Sequence, residues 1–342
     1  LYPVHVDESF STSSSSKRCC DVVFVHGLAG GPFASWKQDH ASNTGTSNYV
    51  AQFWPRLWFP FDFSRRTKRS VRVLTFGFEA RPMRTIDDMN LSSSVTLDME
   101  DQAESLLHKL RMARIGSSGN SVVFVTHSLG GLVVKKMLML AYERKKREEE
   151  REEEERREEE EREEEERDEE SALLDHTRWG GPSTHADICD NTHAVVFYSV
   201  PHKGSPMMDM LLSPRDTMVQ LGLGAVHPIT KWLATNHEES LLLNKEFGRV
   251  YGNCAMSIGE TKRETLPGLI DSNVVSGFSE VMDLLFEDSG LIQIVPSSSA
   301  NPGYGGFEEI QNVPHTTINK PASLEDRRFE AMMEFVSAKC QV

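Results

Sequence analysis

The sequence lacks the features that mark several common protein classes. Its cysteines are Cys19, Cys20, Cys189, Cys254 and Cys340, and no two of them form a Cys-x-x-Cys pair. A metal site is therefore not expected, and the odd number of cysteines favours a reducing compartment. No run of 18 or more apolar residues occurs, so the sequence predicts no transmembrane helix.

The chain also lacks an excess of basic residues. Its 37 Lys and Arg residues are outnumbered by 52 Asp and Glu residues, which gives a formal net charge of -15. Residues 143–170 account for -10 of this charge, because they hold 19 acidic and 9 basic residues. The acidity is therefore mostly local, and the absence of a compensating basic surface argues against nucleic-acid binding.

Short apolar runs that end in glycine or in a polar turn recur along the chain, as buried parallel strands do. The predicted strands are 21–25, 71–78, 122–125, 194–200, 254–258 and 291–295. Helical spacing predicts helices over 98–112 and 132–142. Strands that alternate with helices predict an α/β fold with a mostly parallel sheet. The serine-rich residues 1–18 are expected to be a disordered tail.

One domain is expected over 19–342, interrupted by a charged low-complexity insertion at 143–190. The charged residues can form five i,i+4 pairs with Glu on the N-terminal side, each worth roughly 0.2–0.5 kcal/mol. These pairs are Glu143/Arg147, Glu152/Arg156, Glu153/Arg157, Glu158/Arg162 and Glu163/Arg167. With no apolar face, the segment predicts a solvated helix that continues the helix at 132–142. A spacer is the simpler interpretation, and a binding site for a protein partner is the alternative.

A second segment, 204–249, is rich in methionine and leucine. Helices inserted after a strand of an α/β sheet can cover a site at the edge of that sheet. Methionine adapts to irregular apolar partners, so an acyl-chain pocket is one interpretation of the segment. Packing on the core is the other, and the sequence does not decide between them.

The main chemical signal is Thr126-His127-Ser128-Leu129-Gly130-Gly131, which directly follows a predicted strand and opens a helix. A tight strand-to-helix turn raises a serine hydroxyl above the edge of a sheet, as in the nucleophile elbow of α/β hydrolases. The helix N-terminus also points its partial positive charge at that serine. Thr126 stands where the usual G-x-S-x-G pattern has its first glycine. We predict Ser128 as the nucleophile.

A glycine-rich loop after the first predicted strand supplies the second signal, His26-Gly27-Leu28-Ala29-Gly30-Gly31. Acyl transfer builds negative charge on the carbonyl oxygen, and two aligned backbone amides stabilise it by a few kcal/mol. The predicted oxyanion-hole donors are the amides of Leu28 and Leu129.

The base and the acid should follow the serine in that fold, in the chain order Ser, acid, His. His315 is placed after the last predicted strand, as the base should be. Glu260 follows the strand at 254–258 and is the first candidate for the acid, which orients the imidazole. The alternatives are Glu264, Asp271 and Asp283.

Three further histidines lie near strand ends, and none is predicted to act as the base. His26 and His127 are interpreted as shaping the two motif loops. His202 is expected to pack near the site.

These motifs together resemble the serine-active-site-containing (SERAC) family of lipase-like α/β hydrolases, over most of 20–142 and 193–320. The specific runs are Ser128-Leu129-Gly130-Gly131-Leu132-Val133-Val134-Lys135-Lys136 and Tyr198-Ser199-Val200-Pro201-His202. Supporting matches are Trp36, the run 54–58, Gly259-Glu260-Thr261 and His315 near Lys320-Pro321. A residue other than glycine before the His-Ser pair also resembles that family.

The resemblance implies a cofactor-free serine hydrolase that cleaves an acyl ester of a lipid or phospholipid. It also implies phospholipid remodelling and peripheral contact with intracellular membranes, of the mitochondrion or the endoplasmic reticulum. One departure is Ser298-Ser299-Ala300-Asn301, where the family tends to carry Glu-Ser-Ala-Asp. The family run Glu-Thr-Leu-Pro matches either Glu260-Thr261 or the run that begins at Glu264, which leaves the acid open. An inactive scaffold on a hydrolase fold is the alternative function, and a peptidase or protein deacylase is a third.

Overall fold

The computed structural model shows an α/β-hydrolase fold, in which helices flank a mostly parallel seven-stranded sheet. It describes residues 1–7, 19–38, 52–80, 83–84, 97–165, 182–212, 225–265 and 291–341. The predicted fold class is confirmed.

The strands of the main sheet lie in the order β1-β3-β2-β4-β5-β6-β7. They are β1 (Tyr2–Val6), β2 (Cys20–Val25), β3 (Val71–Phe76), β4 (Ser121–His127), β5 (Thr192–Tyr198), β6 (Ala255–Glu260) and β7 (Gly306–Ile310). Every pairing in the sheet is parallel except that of β1 with β3. Parallel strands align their carboxyl ends at one edge of the sheet, so the residues after β2, β4, β5 and β6 are brought together there.

Helices cover both faces of the sheet. They are α1 (Trp54–Leu57), α2 (Phe59–Thr67), α3 (Met99–Met112), α4 (Leu129–Glu165), α5 (His185–Asn191), α6 (Pro206–Leu212), α7 (Glu238–Tyr251), α8 (Ser297–Ala300) and α9 (Arg327–Cys340). One apolar cluster packs α3, α4 and α7 on one face, and a second packs α2 and α9 on the other. Strands β2 and β4 are buried along their whole length, because both faces are covered.

Within the described residues, three two-stranded antiparallel pairs lie outside the main sheet. Lys37–Gln38 pairs with Gln52–Phe53, Met83–Arg84 with Ala225–Val226, and Glu264–Thr265 with Leu291–Ile292.

The N-terminal segment departs from its predicted disorder. Tyr2–Val6 forms β1, which pairs antiparallel with β3 at the edge of the sheet. The carboxylate of Asp7 accepts a hydrogen bond from the backbone amide of Val71 at 2.8 Å. Backbone pairing with an existing edge strand orders a polar segment without an apolar run of its own. Residues 8–18 lie outside the described part.

The predicted sixth strand, 291–295, is also wrong in part. Only Leu291–Ile292 is a strand, and it pairs with Glu264–Thr265 outside the main sheet. Ile294 and Val295 are buried in the core instead. The last strand of the sheet is β7, whose half-exposed edge position requires no apolar run, so the hydrophobic pattern did not reveal it.

The charged segment continues the helix that follows Ser128 without a break, as predicted. Together they form α4, which is 37 residues long. Residues 149–160 are all exposed. Of the five predicted ion pairs, Glu143–Arg147 forms at 3.9 Å, whereas Glu152–Arg156 and Glu153–Arg157 do not approach within 4.0 Å. The other two pairs lie outside the described side chains. Exposed pairs gain little energy, so their rotamers are weakly held.

The base of this charged helix is nevertheless attached to the domain. Lys145 donates a hydrogen bond to Asp190 at 2.5 Å, and Glu148 bonds His185 at 2.8 Å. Both partners lie on α5, a helix that the loose polar stretch before β5 did not indicate. Within the described residues, none of the helices combines the length and apolar character needed to cross a bilayer.

Candidate active site

Ser128 occupies a sharp turn between β4 and α4. Its φ is +51°, a left-handed conformation that residues other than glycine rarely adopt. The Ser128 amide donates to the carbonyl of Tyr198 at 3.0 Å, which fixes the turn to β5. A strained serine between a buried strand and a helix has the geometry of a nucleophile elbow.

The glycines after Ser128 allow the turn to pack closely. A Cβ atom on Gly130 would lie 2.2 Å from the carbonyl oxygen of His26, and one on Gly131 would lie 2.3 Å from Val200. On the other side of the serine, the buried Thr126 hydroxyl donates to the carbonyl of Val196 at 3.0 Å. The neighbouring strand therefore accommodates a threonine at the position where glycine is usual.

His315 and Glu260 are brought together, although 55 residues separate them. The Nδ1 atom of His315 donates to Oε2 of Glu260 at 2.6 Å, and both side chains are buried. The other carboxylate oxygen of Glu260 accepts from the amide of Val295 at 2.9 Å. In the neutral ring, a proton on Nδ1 leaves Nε2 free to accept another, as a general base requires.

The charge environment favours the protonated form of His315. Burial opposes that form, but the charge and hydrogen bond of Glu260, with a further contribution from the charge of Glu264, outweigh it. The pKa of His315 is therefore raised above its ordinary value.

The loop that carries His315 lies against the serine turn. The Nε2 atom of His127, next to Ser128, donates to the carbonyl of His315 at 3.1 Å, and the two rings are 4.8 Å apart. Burial holds the pKa of His127 well below its ordinary value, so this ring is neutral. Among the described residues, no hydrogen bond joins the Ser128 hydroxyl to the His315 ring.

Glu264 reaches the same loop but bonds another residue. Its carboxylate accepts from the amide of Thr316 at 3.1 Å and from its hydroxyl at 2.7 Å. The geometry therefore gives Glu260 the contact with His315 and Glu264 a contact that holds the loop. Asp271 and Asp283 lie outside the described residues.

The loop after β2 is close to the serine turn. A Cβ atom on Gly27 would lie 2.6 Å from the Cβ of Ser128. Two hydrogen bonds fix the loop, from Ala29 to the carbonyl of Ala80 at 2.6 Å and from Gly30 to that of Gly27 at 3.1 Å. The Leu28 amide has no acceptor within the described part of the chain. Leu129 is the first residue of α4, where amides have no partner inside the helix.

His26 shapes this loop. Its Nδ1 donates to the carbonyl of Gly27 at 2.9 Å, and its Nε2 accepts from the amide of Phe78 at 3.3 Å. Burial lowers the pKa of His26 to about 4, so the ring stays neutral near pH 7. Both ring nitrogens are thus used for structure.

His202 is fully buried, as is Lys135, which donates to its Nδ1 at 2.6 Å. No motif in the sequence assigns Lys135 a role of its own. The signal available was a lysine directly after the apolar run 132–134, on the helix that follows the serine. The contact of Val295 with Glu260 had no signal, because a backbone amide carries no mark in the sequence.

Two of the methionines in the segment 204–249, which the sequence assigned either to an acyl-chain pocket or to the core, lie in the core. Met207 and Met208 are buried in the core cluster, together with Ile229 and Leu233. The side chains at 210–212 lie outside the described part.

No family model matches the chain. Protein SERAC1 of Danio rerio is 25% identical over 325 residues, which are 92% of this chain and 38% of that protein. The human Protein SERAC1 is 23% identical over 98% of this chain and 41% of its own length. The chain is thus similar to SERAC1 proteins over nearly all of its own length, in line with the resemblance that its motifs show. It spans about two fifths of the length of these SERAC relatives.

A solved structure supports the fold. Phospholipase PlaB from Legionella pneumophila matches with a TM-score of 0.51 at 12% identity, over 96% of this chain and 60% of that one. Identity this low shows a shared fold only.

Proposed function

We propose that this chain is a serine hydrolase that cleaves acyl esters, with Ser128 as nucleophile, His315 as base and Glu260 as acid. The observation that carries the proposal is the buried bond between His315 Nδ1 and Glu260, in a loop that contacts the serine turn. Such a pair holds the ring in the tautomer that can take a proton at Nε2.

The proposed reaction has two steps. The Ser128 hydroxyl attacks the ester carbonyl while its proton passes to Nε2 of His315, and the amides of Leu28 and Leu129 bind the oxygen that becomes negative. The departing alcohol takes the proton from His315 and leaves an acyl group on Ser128. Water, deprotonated by the same nitrogen, then releases the acid and restores the serine.

We extend the proposal to lipid or phospholipid esters as the substrate class. The support is the similarity to SERAC1 proteins and the fold shared with a protein named as a phospholipase. A further part of the proposal is peripheral contact with a mitochondrial or endoplasmic reticulum membrane. We also propose that 19–342 form one domain, to whose sheet β1 adds an edge strand, and that the insertion at 143–190 serves as a spacer or holds a protein partner.

The inactive-scaffold alternative drew on the missing carboxylates at 298–301. Glu260 supplies a carboxylate to His315 from the end of β6. The lack of carboxylates at 298–301 therefore does not by itself remove the acid. The active enzyme is therefore the better-supported proposal.

The test is turnover of an ester panel, from short p-nitrophenyl esters to long-chain esters and phospholipid vesicles, with peptide substrates beside them. We expect ester hydrolysis that Ser128→Ala abolishes, with a rate that rises with acyl length. Retained turnover in that variant would refute the nucleophile. No turnover on any ester would favour the scaffold, and peptide cleavage would favour the peptidase.

A further inference from the structure

Lys135 is a buried lysine with no acidic partner among the described residues. It lies on α4, seven residues after Ser128, and is completely inaccessible to solvent. Its Nζ donates to Nδ1 of His202 at 2.6 Å and to Oδ1 of Asn244 at 2.7 Å. Burial holds the pKa of Lys135 well below its ordinary value. A lysine is costly to bury, so a leucine or methionine would serve a purely structural purpose better.

The surroundings of Lys135 hold its amino group in one place. The rings of Phe197, Phe247 and Tyr304 lie 5.1–5.4 Å from Nζ. The Tyr304 hydroxyl also donates to Oδ1 of Asn244 at 3.0 Å, and the amide of that asparagine donates to the carbonyl of Pro302 at the same distance. A hydrogen-bonded and ring-lined amine is a rigid anchor for whatever it bonds.

What Lys135 anchors is the loop after β5. When Nδ1 of His202 accepts from Lys135, the ring proton is on Nε2, which lies 3.3 Å from the hydroxyl of Ser257 on β6. Burial, with the nearby charges of Lys135 and Lys203, holds the pKa of His202 well below its ordinary value. The neutral ring thus connects α4, the loop 201–205 and the strand that ends in Glu260.

The loop 201–205 is in turn bonded to the segment 294–299. The Ser205 hydroxyl donates to the carbonyl of Ile294 at 2.5 Å, and that of Ser299 donates to the carbonyl of Gly204 at 2.6 Å. The residue after Ile294 is Val295, whose amide holds the Oε1 atom of Glu260. A continuous set of contacts therefore runs from Lys135 to the carboxylate that bonds His315.

We propose that Lys135 is a positioning residue of the active site, which acts through His202 and the loop 201–205 to hold Glu260 against His315. This inference rests on the proposed function, because it assigns Lys135 to the support of the triad acid. It predicts that the orientation of Glu260, and with it the basicity of His315, depends on an amine two helical turns beyond the nucleophile.

The experiment compares Lys135→Met with Lys136→Met, measuring kcat, KM and the pH profile of kcat/KM on one ester. Methionine keeps the bulk of Lys135 without its amine. Lys136 is on the same helix, bonds Glu100 on the surface at 3.2 Å and serves as the control. We expect Lys135→Met to lower kcat roughly 10- to 100-fold with little change in KM, since small misplacements of a catalytic group cost about that much.

The pH profile separates positioning from a general loss of stability. A loosened Glu260 supports the protonated His315 less, so the acid limb of the profile should move to lower pH. The charged or titratable groups around His315 are Glu260, Glu264 and His127, with Lys320 beyond His127, and no variant changes them. Lys136→Met should keep the wild-type limb.

Ser205→Ala is the second variant, because it removes only the bond to the Ile294 carbonyl. Ser205→Ala should also move the acid limb of the pH profile to lower pH. If Lys135→Met fails to fold, Ser205→Ala serves as the test of the inference. The inference would be overturned if Lys135→Met folds and keeps both the wild-type kcat and the wild-type acid limb. If Lys135→Met does not fold, the same result in Ser205→Ala would overturn it. Turnover that survives Ser128→Ala would instead overturn the proposed function, so the two failures are distinguishable.

Discussion

At the scale of single residues, Glu260 and Glu264 reach the same loop but bond different groups. Glu260 accepts from the His315 ring, whereas Glu264 accepts from the backbone and hydroxyl of Thr316. The sequence placed both within a few residues of a strand end and could not separate them. The difference arises because Glu260 ends β6 in the main sheet, whereas Glu264 lies in the short strand Glu264–Thr265 outside it, which only the folded chain determines.

The two glutamates make a matched pair for mutation. Glu260→Gln removes the negative charge beside His315, so kcat should fall by up to about 10⁴-fold, as when a triad carboxylate becomes an amide. Activity requires neutral His315, whose pKa is raised, so the wild-type acid limb should lie above pH 6.5. Loss of the negative charge lowers that pKa, and the limb should move to lower pH in a pH–rate series.

Glu264→Gln is the control, since glutamine can still accept from the Thr316 amide. Its kcat should change far less and its limb should move in the same direction by a smaller amount. A larger loss in Glu264→Gln than in Glu260→Gln would show that the acid has been assigned to the wrong residue.

At the scale of elements, the serine turn depends on glycine at 130. An added methyl group there would lie 2.2 Å from the carbonyl of His26 and 2.6 Å from that of Val25. Backbone atoms of a buried strand cannot move aside without breaking the sheet. Gly130→Ala should therefore separate the turn from the loop after β2, which carries the Leu28 amide.

We expect Gly130→Ala to lower the thermal midpoint and to reduce kcat by about 10²-fold or more, the usual effect of losing an oxyanion donor. Gly31→Ala is the matched control, because its Cβ would meet only the Cβ of Ala34, at 4.0 Å. Thermal melts and ester turnover of both variants provide the check. Equal behaviour of the two would contradict a tightly packed turn at Gly130.

The elements that the sequence predicted well are those marked by a continuous apolar run or by a motif within the element itself. Buried central strands such as β2 and β4 are continuous apolar runs, and the serine turn carries its own motif. The edge strands β1 and β7 are set by backbone pairing with a neighbour rather than by apolar side chains. The hydrophobic pattern therefore could not reveal them.

At the scale of the whole molecule, the sheet brings together residues from distant parts of the chain. The carboxyl ends of β2, β4, β5 and β6 place the glycine loop, Ser128, the His202 loop and Glu260 at one edge. His315 then joins this edge from beyond β7. The order Ser, acid, His could be predicted from the fold, but the contacts that support the acid could not, since they depend on packing between loops.

The most direct test of the account is covalent labelling by a fluorophosphonate, followed by mass spectrometry of the modified peptide. The probe reacts with a serine that a histidine has activated. We predict a single adduct on Ser128 that disappears in Ser128→Ala and forms far more slowly in His315→Ala. An adduct on another residue, or labelling of Ser128→Ala at the wild-type rate, would contradict the account.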